Sequence, residues 1–198
     1  MSPAAHTTDA THAFQVVFAV PDADSLEPHL DALHAAGCDD AAFMGPASDG
    51  TFTAEFDREA PTFAAAVVSA LDAIQAALPG VRLLRVLPDD LVTIAAIAAR
   101  TGRSDESVRL LCQGRRGPGG FPPATGFINE KTQVWRWTDV ACWFTDALDE
   151  LPAGAEHAAF LAALNNALDL GARAEDLRER PEELEAVLRF LPKDLTPA

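Results

Sequence analysis

Eight polar side chains between positions 103 and 136 have the types and spacing to recognise a nucleic acid: Arg103, Ser104, Ser107, Arg109, Arg115, Arg116, Lys131 and Arg136. Arg109 falls in the middle of a segment with helical periodicity. Its guanidinium can donate two hydrogen bonds to guanine O6 and N7, or it can pair with Asp105 one turn earlier. Ser104 and Ser107 can reach phosphate oxygens or base edges, and Ser104 is equally well placed to cap a helix. Arg103, Arg115, Arg116, Lys131 and Arg136 suit phosphate contacts, which set register and orientation but carry no sequence information. Asp105 and Glu106 repel phosphate. Their two readings are favourable seats in a first helical turn or acceptance from a cytosine amine.

Other chemistries find little support. Gly114 to Gly120 is rich in glycine, yet it lacks the GK[ST] ending of a phosphate-binding loop and is not a GxGxxG after a strand. His29 and His34 stand five apart on a helical segment, a poor spacing for a shared metal. His6, His12 and His157 have no evident partner. Cys38, Cys112 and Cys142 are odd in number with no CxxC, which points to small buried hydrophobes in a reducing cytoplasm. No nucleophile–base set or paired carboxylates stand out, so the expectation is a non-enzyme with no metal and no cofactor.

The net charge of −15 argues against nucleic acid until it is divided along the chain. From Val92 to Trp137 there are seven basic and three acidic residues, a net +4, leaving −19 for the remainder. A local basic patch can hold DNA while an acidic body discourages loose association. At 198 residues and 48% hydrophobic, the chain can bury one large core or two to three small ones. It has no apolar run of about 18 residues and no basic, apolar leader at Met1 to His6, so a cytoplasmic protein is expected, on the nucleoid when DNA-bound, with no membrane partner.

The elements that must position these side chains follow from capping and periodicity. Thr93 can cap a first helix, with Val92 and Ile97 at the positions of a hydrophobic staple. Ala98 permits close crossing, and Gly102 sits where the turn requires a positive φ. Ser104 caps a second helix whose Val108 and Leu111 face Ile94, Ile97 and Ala98. Taken together this spacing is that of a helix-turn-helix. Gly126 to Trp137 predicts a hairpin with its turn near Asn129-Glu130-Lys131, and Thr138 is expected to cap a further helix that buries Val140, Trp143 and Phe144.

Phe121-Pro122, Gly126, Trp135-Arg136, Asp139-Val140 and Trp143 resemble the wing and following helix of the AlpA/excisionase group, within the MerR-like winged-helix superfamily. The likeness covers Leu91 to Phe144. It implies a second helix in the major groove and a wing beside the flanking backbone or minor groove. The long RRGPGG loop and the large flanking regions depart from the short excisionase pattern.

The flanks complete an α+β chain. Residues 1–12 are expected to be disordered. Residues 13–88 predict β-α-β-β-α-β order, a ferredoxin-like domain. In it Phe14, Val16 and Phe18 alternate inward, Ser25 caps a helix carrying Leu26, Leu30 and Leu33, and Pro61-Thr62 opens a second helix. Gln15, Val17, Thr53, Glu55 and Arg82 mark its free face. After the winged helix-turn-helix at 91–148, residues 152–192 predict acidic amphipathic helices: Phe160, Leu161, Leu164 and Leu168 on one face, a break at Gly171, then Leu184, Val187, Leu188 and Leu191 up to Pro192.

The expected function is sequence-specific binding of double-stranded DNA, as a transcriptional regulator working as a homodimer or higher oligomer. The alternatives are an antitoxin-like or adaptor protein whose acidic C-terminal helices hold a protein partner, and a phage-type recombination directionality factor.

Overall fold

The computed structural model describes residues 9–21, 23–128 and 131–190. The expectations for residues 1–8, for Asn129 and Glu130 in the hairpin turn, and for Leu191 and Pro192 lie outside the described residues.

The chain is α+β with two antiparallel sheets. Strand β1 (Ala10–Ala19) buries Phe14, Val16 and Phe18 on one face. It begins inside the stretch expected to be disordered, because β3 (Thr51–Ala60) is long enough to pair with it from Ala10 onward. A 3-10 turn at Glu27–His29 leads into the short α1 (Leu30–Ala35), so Ser25, which accepts from the Glu27 amide at 3.1 Å, holds a turn where an α-helical start was expected. Then come β2 (Ala41–Met44), β3, α2 (Phe63–Ala77) and β4 (Arg82–Leu87). Thr62 caps α2 by accepting from the Ala65 amide.

The strand order is β2-β3-β1-β4, with every neighbour antiparallel. The inner face buries Phe14, Phe18, Phe52 and Phe56 against Phe63, Val67 and Ile74 of α2. The β1–β4 register shifts after Val17, so that Leu83 and Val86, three apart, both face inward. A regular strand would put them on opposite faces.

A second, smaller core follows. It is built from β5 (Leu91–Val92), α3 (Ile94–Thr101), α4 (Asp105–Cys112), β6 (Gly126–Phe127), β7 (Gln133–Arg136) and α5 (Trp137–Leu148). The three strands order β5-β7-β6.

Of the C-terminal helices, the first packs against the cores. Helix α6 (Ala158–Asp176) runs unbroken through Gly171, contrary to the expected break. A mid-helix glycine costs about 1 kcal/mol, which tertiary packing overrides. Leu161 of α6 is buried in the first core, with Phe160, Leu164 and Leu168 against it, while Ala158 belongs to the second. Asn165 Nδ2 donates to the Val86 carbonyl at 2.9 Å and its Oδ1 accepts from the Val86 amide at 2.8 Å. One side chain thereby satisfies both groups on the open edge of β4. Helix α7 (Pro181–Leu188) buries none of its side chains.

Candidate functional site

Helices α3 and α4 are started and stopped by their own sequence. Thr93 accepts from the Ala96 amide at 3.4 Å, and Ser104 accepts from the Ser107 amide at 3.2 Å. Gly102 ends α3 at φ 63°, which lets the Arg103 amide turn back to the Ala98 carbonyl at 2.9 Å. A side chain here would strain the backbone by about 1 kcal/mol. Val108 and Leu111 of α4 pack with Ile97, Ala98 and Val92, leaving Asp105, Glu106 and Arg109 on its exposed side.

The hairpin and α5 are fastened to these helices by Asp90, which is 4% exposed. Its carboxylate accepts from the Thr138 amide at 3.0 Å, the Thr138 hydroxyl at 2.7 Å and Arg136 Nη1 at 3.1 Å; its carbonyl accepts from the Trp137 amide. Thr138 was expected to cap α5 but lies inside its first turn, and the capping acceptor is Asp90, 48 residues away. The glycine-rich loop is held from the other side: Trp143 Nε1 donates to the Gly119 carbonyl at 3.0 Å and Trp135 Nε1 to the Pro122 carbonyl at 3.1 Å.

The eight expected contact residues divide into groups. Arg103 Nη2 donates to both Glu150 carboxylate oxygens at 2.7 Å, and its guanidinium lies 5.3 Å from the Phe144 ring centre. Its Nε is buried with no hydrogen-bond partner among the described residues. Arg136 is paired with buried Asp90. Both therefore make contacts that hold the fold. Arg100, the other cation of this stretch, sits 4.8 Å over Trp137 and donates to the Asp89 carbonyl. Burial pushes its pKa down from the ordinary guanidinium value, while Asp89 and Asp90 pull it back up.

The remaining residues lie outward. Arg109 is half exposed, with Glu106 at 3.8 Å rather than the expected Asp105, a long contact of little energetic weight at this exposure. Arg115 and Arg116 are exposed and form no ion pair among the described residues; Arg116 reaches the Ser107 hydroxyl at 3.4 Å. Ser104 is occupied as a cap.

Arg109 and Lys131 line a common groove of about 760 Å³ between α4 and the hairpin, together with Asp105, Gln113 and Gln133. Cys112 also borders it, its thiol pKa raised by burial. The burial expected of the cysteines is met at Cys38 and not at the exposed Cys142. At the hairpin end, Phe127 and Ile128 are 62% and 67% exposed.

Asp90, Glu150 and Arg100 are the residues that sequence reasoning missed. Asp90 and Glu150 act on partners 46 to 48 positions away and leave no periodic trace. Among the described residues no group of three His, Cys, Asp or Glu side chains is gathered as for a metal ion, and no helix is long and apolar enough to cross a membrane. Compared with known protein families, with curated proteins and with solved structures, the chain matches none.

Proposed function

We propose that this chain is a sequence-specific double-stranded DNA-binding protein, a transcriptional regulator that works as a dimer or higher oligomer. In this reading α3 and α4 are a helix-turn-helix, α4 is the recognition helix, and β6–β7 is its wing. The observation that carries it is the groove between α4 and the hairpin, on which Arg109 and Lys131 converge while Arg115 and Arg116 stand exposed on the loop after α4. A half-exposed arginine whose ion pair among the described residues is a 3.8 Å contact is available to a guanine edge. The similarity of Phe121, Gly126, Trp135 and Trp143 to the AlpA/excisionase group agrees with that assignment. For the first sheet, the order β2-β3-β1-β4 with two helices on one face supports a ferredoxin-like domain. It serves in this reading as a pairing module.

The test is selection of genomic fragments by the purified full-length protein at moderate salt. A single enriched site is expected. Arg109→Ala should lose about 1–3 kcal/mol of preference for that site, and Arg115→Ala should weaken all duplexes alike, lowering the salt slope by about one unit. No preference among fragments would refute the reading.

A second reading has its own observation. Helix α7 exposes Val187 and Leu188, followed by Phe190 at 90% exposure, beside Glu182, Glu183 and Glu185. An adaptor that holds a protein partner through this helix would co-purify with it in stoichiometric amount and show no duplex preference.

A further inference from the structure

The β6–β7 hairpin presents two large apolar side chains that the fold does not use. Phe127 and Ile128 are exposed, whereas Phe121, Trp135, Trp137, Trp143 and Phe144 in the same half of the molecule all pack into the second core. Ile128 donates its amide to Thr132, so the hairpin backbone is closed and the exposure belongs to the side chains. The direction of Phe127 follows from the register. Phe127 lies directly opposite Gln133, and opposed residues of an antiparallel pair share a face. Gln133 lines the groove that Arg109 and Lys131 also line. Phe127 therefore projects on the side of the groove that holds Arg109 and Lys131, while Ile128, next along the chain, faces the other way.

The size and charge of this feature select its occupant. Two side chains supply only a small part of the roughly 800 Å² per partner that a stable protein interface buries. The two cations on the Phe127 side, Arg109 and Lys131 against the one carboxylate of Asp105, suit a polyanion. Where an apolar side chain and phosphate-binding cations act together on duplex DNA, the apolar group unstacks a base step and the cations hold the bent backbone.

We propose that Phe127 inserts between two stacked base pairs of the bound duplex from its minor groove and kinks it. This rests on the DNA-binding reading above. It also specifies a substrate: the step at the hairpin should be pyrimidine–purine, TA or CA/TG, because these unstack most easily.

The experiment uses the full-length protein and a duplex recovered from a random-sequence pool. The duplex is end-labelled with a donor and an acceptor, and 2-aminopurine is moved through it position by position. Binding of the native protein should raise energy transfer between the ends and brighten 2-aminopurine at the pyrimidine–purine step under each hairpin. Phe127→Ala should return both signals to the free-duplex value and weaken binding roughly tenfold, with the salt slope unchanged because no phosphate contact is lost. Phe127→Leu should keep part of the bend, and a mismatch at that step should restore affinity to Phe127→Ala.

Native-like bending by Phe127→Ala would overturn the insertion and leave the DNA-binding reading standing. Failure of the native protein to bind any duplex would overturn both. A change in sedimenting mass in Phe127→Ala, with the bend intact, would make the hairpin end a contact between copies and refute the insertion.

Discussion

Arg103 and Arg109 are six positions apart with the same guanidinium, and their neighbours give them different work. Arg103 meets Glu150, 47 residues on, and the ring of Phe144; the ion pair of Arg109 among the described residues is a 3.8 Å contact on its own helix. Arg103→Ala is therefore expected to lower unfolding stability by about 1 kcal/mol, after allowance for the partly exposed carboxylate. Chemical denaturation measures it, and a midpoint equal to that of the native protein would contradict the assignment. Arg109→Ala should leave that midpoint in place while changing duplex preference. The contrast also shows what could be read from sequence at this scale. Each arginine was visible as a cation, but its partner was not, because nothing local distinguishes a cation facing a carboxylate 47 positions away from one facing water.

Short helices stand or fall with their ends, and α3, α4 and α5 are all short. The caps of α3 and α4 are adjacent in sequence, at Thr93 and Ser104, and both were legible as Ser/Thr before an apolar run. For α5 the local signal misled. Thr138 looks like a cap, yet it donates to Asp90, which does the capping from 48 positions earlier in the chain. Replacing Asp90 with alanine strands the Thr138 amide and hydroxyl and one side of Arg136, whose partial exposure softens the loss. A destabilisation of about 2–3 kcal/mol is expected. Asp90→Asn, which keeps an acceptor for Thr138, should cost about half as much. Equal stability of the two variants would show that charge, not acceptance, is what matters at this position. The alternation of Phe14, Val16 and Phe18 was legible for a similar reason to the caps, since one buried face imposes a period of two on neighbouring residues. The irregular spacing of Leu83 and Val86 was not, because a register shift erases that period.

Across the whole molecule, α6 decides how the parts cohere. Its apolar face completes the first core, its first residue reaches the second, and Asn165 closes the edge of β4 across 79 positions of sequence. Gly171 suggested a broken, separate segment because sequence displays the glycine and hides the surface that outweighs it. Asn165→Leu leaves the Val86 amide and carbonyl without partners and should cost about 1–3 kcal/mol. Hydrogen exchange at Val86 reports it directly, with faster exchange expected and unchanged protection contradicting the role given to Asn165. The join between β7 and α5 has a mechanical meaning. Arg136 ends the strand, Trp137 begins the helix, and Asp90 grips both residues on either side of that junction. No hinge separates hairpin from helix, so a load on the hairpin end becomes a torque about Asp90. Helix α5 resists it and, through α6, so does the first sheet. The hairpin is tied at its base to the body of the protein through Asp90.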